Sequence, residues 1–174
     1  MEKKSMKKIS TKQLEEILAE HRLWLKGIGG SKADLSGTDL SGMDLSGIDL
    51  SGMDLYGANL TGTDLSGVNL CDAQLESANL CDANLSDANL RFASLSNANL
   101  SGADLKYAIL SYTDLSGANL TYADMRNSDL TDANFSGACL VGAILLGANL
   151  SGTDIFLDHM GDMNTIATPA ITGI

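Results

Sequence analysis

The side chains able to do chemistry are few in this 174-residue sequence, and they stand apart. Its two histidines, His21 and His159, lie near opposite ends, so residues 22 to 158 hold no imidazole. Serine is abundant there, but a serine hydroxyl is a poor nucleophile without an adjacent base. The three cysteines, Cys71, Cys81 and Cys139, are odd in number and show no CxxC spacing, so they read as reduced thiols and not as a disulfide framework or a zinc site. There is no P-loop and no GxGxxG turn after a strand. Aspartates are many, yet single carboxylates strung along a chain do not supply the six or more converging oxygens that Ca2+ takes. The residues therefore predict no enzyme, no cofactor and no metal.

The carboxylates count instead as charge. Residues 33 to 157 hold sixteen acids and three bases (Arg91, Lys106, Arg126), a net −13, whereas residues 1 to 32 hold eight bases and four acids. Such a stretch repels phosphate, which speaks against direct nucleic-acid binding and for a protein partner.

The elements that position these carboxylates follow from a strict period of five. From Leu35 to Ile155 every fifth residue is large and apolar, 25 positions of which 22 are Leu; the others are Met125, Phe135 and Ile155. A five-residue step carries a helix about 140° past a full turn, scattering the leucines, and an odd step on a strand sends them to alternate faces. The chain must therefore bend once per repeat. Two residues before each leucine stands a small or modest side chain, usually Ala, sometimes Thr, and Met or Ile at Met43, Ile48 and Met53, and Asp or Asn usually lies between. Ala and Leu then face inward from a short extended side, Asp or Asn faces outward, and the following Ser-Gly turns the corner.

The repeats "ADLSG", "ANLCD", "ANLSD" and "ANLSG" resemble the pentapeptide-repeat family across residues 33 to 157. The resemblance implies an all-β solenoid: a right-handed quadrilateral β-helix of about six coils, four repeats per coil, with residues 20 apart stacked and a length of about 30 Å. On that geometry Asn59, Asn79, Asn99 and Asn119 share one face, and Asp44, Asp64, Asp104 and Asp124 form an acidic face with Asn84 among them. Cys71 and Cys81, ten apart, fall on opposite sides, too far apart to bridge.

The ends of a solenoid need covers. Residues 1–9 read as a flexible basic N-terminus, 10–30 as a capping helix and turn, 31–157 as the β-helix and 158–174 as a tail. Ser10 and Gln13 fit a capping box, Ile9 and Leu14 a hydrophobic staple, and Leu14, Ile17, Leu18, His21 and Leu25 helical spacing, with Gly27, Gly29 and Gly30 as the stop. The stretch "LEEILAEHRLWLKGIGGSKADLSG" is similar to a lead-in of bacterial and phage members, which makes His21 and Trp24 cap residues. At the other end Val141, Ile144, Leu146, Phe156 and Leu157 are apolar where outward residues are normally polar. Either the tail covers them or two chains pair there as a homodimer. No run of 18 apolar residues exists, and the lysine-rich start leads into an amphipathic segment, so no membrane contact and a cytoplasmic location are expected.

Function is thus expected on the surface of a non-enzymatic scaffold that binds a protein. Stacked aspartates repel by about 0.9 kcal/mol at 4.8 Å even in water, which suggests that they serve something other than the coil. One charge per roughly 2.3 Å of rod approaches the one per about 1.7 Å of duplex DNA. Branches of the family act as DNA mimics on type II topoisomerases, and the resemblance implies a similar DNA-binding enzyme as partner. This chain departs from those branches: it has no loop between coils and favours Leu where they often carry Phe. The alternative is a scaffold without mimicry, kept soluble by its charge. Phe92, Tyr107, Tyr112 and Tyr122 are candidate contact aromatics, Phe92 and Tyr112 stacked on one face and the other two at corners, with Ile109 facing outward.

Overall fold

The computed structural model describes residues 6–155. Its elements in chain order are β1 (Lys7–Lys8), α1 (Thr11–Leu25) and β2 (Thr38–Asp39), followed by a long series of single-residue parallel bridges. Each bridge joins residues 20 apart, from Asp34 with Asp54 through to Asp129 with Asn149. A side with only three extended residues can pair only at its middle one, so regular strands never lengthen. Five residues per side and a register of 20 give four sides per coil.

The corners follow one rule. The N–H two residues before each leucine donates to the preceding leucine carbonyl, as Thr38 does to Leu35 (3.1 Å) and Ala98 to Leu95 (3.0 Å). The second corner residue has a positive φ, the mark of a type II turn, which is why Gly37, Gly47 and Gly67 suit it. Eleven residues other than glycine also adopt it between Asp72 and Asp132. Most are Asp, Asn or Ser, whose short polar side chains tolerate this region.

Inside, the leucines from Leu35 to Leu130 are buried, together with Met125 and the alanines two residues before each. Each buried leucine contributes on the order of 2 kcal/mol. Where Thr63 and Thr113 replace alanine, their hydroxyls donate to the carbonyls of Leu40 (3.1 Å) and Leu90 (2.7 Å), so the core accepts them. Among the described residues no buried side-chain polar atom lacks a partner.

The N-terminal cover has two parts. Helix α1 starts on Ser10, whose hydroxyl accepts from the Gln13 N–H while the Gln13 side chain accepts from the Ser10 N–H, and Ile9 packs on the core. It ends in a Schellman motif: the Gly27 N–H donates to Trp24 and the Ile28 N–H to Leu23. Leu14, Leu18 and His21 are buried, Ile17 is half-buried, and Trp24 and Leu25 are exposed. Ahead of the helix, β1 pairs in parallel with β2, Lys7 opposite Thr38 and Lys8 opposite Asp39. The expectation of a flexible stretch through residue 9 is corrected here. The outer edge of β2 offers unpaired backbone groups, and Lys7–Lys8 satisfies them.

Candidate protein-binding surface

The outward aspartates hold the corners. The Oδ1 of Asp44 accepts the Ser46 N–H at 3.0 Å, and Asp64, Asp104 and Asp124 accept from Ser66, Lys106 and Arg126 in the same way. Asparagine does likewise, as Asn84 does for Ser86. Neighbouring coils are laced together where Asn follows Asp: the Asn84 amide donates to Asp64 (3.0 Å), Asn69 to Asp49 (2.9 Å) and Asn59 to Asp39 (2.9 Å). The Ser36 hydroxyl and N–H hold Asp34 below the usual carboxylate range, those of Ser41 do so for Asp39, and the Ser46 N–H and hydroxyl for Asp44. The aspartates at the middle of a side, from Asp34 to Asp129, thus also serve the coil, a role that asparagine fills equally, whereas Asp72, Asp82, Asp87 and Asp132 stand at the corners themselves.

The acidic face is not uniformly acidic. Lys106 sits 2.7 Å from Asp104, and Arg126 grips both oxygens of Asp124 at 2.9 and 2.6 Å. The Arg126 guanidinium is the main cause of the lowered Asp124 pKa. Asp44 and Asp64 have no such partner among the described residues, so half of this face is neutralised. The signal was in the sequence, since Lys106 and Arg126 each stand two residues after an aspartate. Acids also ring a single coil, with Asp72, Glu76, Asp82 and Asp87 at its four corners.

The four aromatics all occupy the second corner position with positive φ, between 59° and 61°; Phe92 and Tyr112 are corner residues too, and not on a flat side. For a bulky side chain this conformation costs roughly 1–2 kcal/mol. Phe92 and Tyr112 stack with centroids 5.2 Å apart, and the Arg91 guanidinium lies 4.6 Å above the Phe92 ring and 5.5 Å from that of Tyr112. Tyr107 stands at the adjacent corner of the same coil as Tyr112, with exposed Ile109 on the side between them. Tyr122 belongs to the corner diagonally opposite Phe92 and Tyr112 and next to that of Tyr107, across the side that carries Asp104 and Asp124.

His21 is a structural clamp. Its ring is fully buried, Nδ1 accepts the Ala33 N–H (3.2 Å), and Nε2 donates to the Ser51 carbonyl (3.0 Å). Trp24 stacks on it at 5.4 Å. The thiols of Cys71, Cys81 and Cys139 are free, and among the described residues no three His, Cys, Asp or Glu side chains gather to hold a metal. Nor is any described helix long and apolar enough to cross a membrane. At the C-terminal end Val141 and Leu146 are exposed and Ile144 is half-buried, while Phe156, Leu157 and the tail lie outside the described residues.

Comparison with known proteins agrees with this geometry. The family of pentapeptide repeats matches residues 33–71, 71–106 and 108–147, in eight copies. Among solved structures, HetL, a pentapeptide repeat protein involved in heterocyst differentiation regulation in the cyanobacterium Nostoc sp. strain PCC 7120, is 34% identical over 71% of this chain and 74% of its own, with a TM-score of 0.41. A pentapeptide repeat protein of the Arabidopsis thaliana thylakoid lumen is 31% identical over 64% of each chain, with a TM-score of 0.42. QnrB1, a plasmid-mediated fluoroquinolone resistance protein, is 23% identical over 70% of this chain and 72% of its own, with a TM-score of 0.46. No curated protein matches the chain. Its five-residue period, its 20-residue stacking register and the family match show that the chain belongs to the pentapeptide repeat family and folds as a right-handed quadrilateral β-helix.

Proposed function

We propose that the chain is a non-enzymatic cytoplasmic scaffold that binds a protein partner through its acidic rod, with mimicry of duplex DNA toward a DNA-binding enzyme, such as a type II topoisomerase, as the specific form. The observation that carries this reading is the corner bond of the aspartates. It fixes the carboxylates of Asp44 and Asp64 by one oxygen, and at Asp44 the Ser46 N–H and hydroxyl favour the ionised form. The charges are thus held in register before any partner arrives, and binding spends little ordering entropy on them. Lys106 and Arg126 confine the uncompensated part of the Asp44 face to its N-terminal half.

The test is inhibition of DNA binding by bacterial gyrase or topoisomerase IV across a salt series, comparing the wild type with a variant carrying Asn at Asp44, Asp64, Asp104 and Asp124. Asparagine retains the corner bond, so the fold holds while four charges go. Inhibition should weaken in the variant and fall steeply with salt. Equal potency of the two proteins, or no competition with duplex DNA at low salt, would retire mimicry on this face. A partner bound with little salt dependence would favour the alternative scaffold without mimicry, for which the exposed Tyr107, Ile109 and Tyr112 speak.

A further inference from the structure

Next to the Asp44 face, across the corner of Lys106 and Tyr107, one side of the rod departs from the acidic pattern. It is bounded by the corner of Tyr107 and the corner shared by Phe92 and Tyr112, and its middle position is Ile109, which pairs with Asn89 on one side and Asp129 on the other. Tyr107, Ile109, Tyr112 and Phe92 are 58%, 42%, 48% and 47% exposed. The three bases of residues 33–157 all stand at the two corners bounding this side, Arg91 at one and Lys106 and Arg126 at the other. Lys106 and Arg126 turn back to Asp104 and Asp124. Arg91 makes no ion pair among the described residues, and its guanidinium is instead held over two rings.

We infer that this side is a second docking surface, separate from the acidic reading above, and that it takes a segment of a partner protein presenting an apolar side chain next to a carboxylate. The apolar side chain covers Ile109 between Tyr107 and Tyr112, rings that turn outward from strained corners and offer large contact area with few rotors to order. The carboxylate pairs with Arg91, whose planar fork is already oriented by its stack on Phe92 and Tyr112. Asp72 and Asp132 flank the aromatic pair one coil away on either side. Together with the rest of the acidic rod they repel a carboxylate from every position except Arg91, which sets the register of the segment.

The experiment selects phage-displayed random dodecapeptides on the full-length chain and, in parallel, on its Arg91→Glu variant. The wild type should enrich peptides with an aromatic or branched aliphatic residue beside Asp or Glu, and Arg91→Glu should exchange that acid for Lys or Arg. A synthetic wild-type-selected peptide should bind Arg91→Glu, Tyr112→Asn and Ile109→Asn at least tenfold more weakly. Asn already occupies equivalent corner and side positions at Asn97 and Asn89, so these variants keep the fold. The Asp44→Asn, Asp64→Asn protein should bind the peptide within twofold of wild type, which separates this surface from the acidic one. Three results would overturn the inference: no enriched consensus, a basic consensus on the wild type, or a consensus indifferent to Arg91→Glu. Self-association abolished by Ile109→Asn would do so as well, since the occupant would then be a second copy of the chain.

Discussion

His21→Ala tests how the first coil is closed. One coil further on, the residues equivalent to Ala33 and Ser51 bond within the solenoid: the Met53 N–H donates to Leu50 (3.1 Å), and the Cys71 carbonyl accepts from Gly52 (2.8 Å). At the first coil no preceding coil exists, and the two ring nitrogens of His21 take over both roles. Removing the ring leaves the buried Ala33 N–H and the half-buried Ser51 carbonyl without this partner, at about 1–3 kcal/mol each, and deletes the stack on Trp24, about 0.5–1.5 kcal/mol. The helix should therefore dock roughly 2.5–7.5 kcal/mol more weakly, which rivals the contribution of buried Leu14 and Leu18 at about 2 kcal/mol each. A 15-residue helix is marginal alone, so an undocked α1 melts. The readouts are ellipticity at 222 nm and emission of the single tryptophan, Trp24, which lies over Gly52 of the first coil. Both should be lost at lower urea in His21→Ala than in wild type, ahead of the coils themselves. His21→Leu fills the volume without the hydrogen bonds and should recover only part of the loss. A His21→Leu protein as stable as wild type would refute the hydrogen-bond account.

Leu85→Asp should give no soluble folded protein, because Leu85 is fully buried and an unpaired charge there has no partner; recovery of a folded variant by circular dichroism would sink the inward-leucine fold. Asp64→Ala should lose about 1–2 kcal/mol of stability in urea, since Asp64 accepts from both the Ser66 N–H and the Asn84 amide, whereas Asp64→Asn should stay within about 0.5 kcal/mol. Asp34, Asp39, Asp44 and Asp124 titrate below the ordinary 3.8, so their stabilising effect is present above that pH and is lost as pH falls through their lower folded values. The melting temperature should accordingly fall from pH 5 to pH 2.5; a rise would mean that relief of carboxylate repulsion outweighs the corner bonds. Pairing of two chains through the C-terminal coil should be abolished by Ile144→Glu with Leu146→Glu, seen by light scattering, and a wild type already monomeric at high concentration would remove that pairing.

The inside of the rod and its start were legible in the order of residues. A period of five is incompatible with helix or strand, so Leu85 and its counterparts had to face one interior, and Ser10 with Gln13 marks a helix start through local bonds alone. These are short-range features, written within a few residues. The fate of the outward side chains was decided by the tertiary structure. Period alone left the number of sides open; only the stacking of residues 20 apart brings the Asn84 amide onto Asp64 and Tyr112 onto Phe92, and only the docking of α1 sets the His21 ring between Ala33 and Ser51, 12 and 30 residues away. The strand at Lys7–Lys8 exists only because Thr38–Asp39 offers an open edge. Repulsion between stacked aspartates was visible from spacing, but the corner N–H that each one accepts depends on a turn in which the second residue takes a positive φ, and that turn is imposed by closing four sides into a coil.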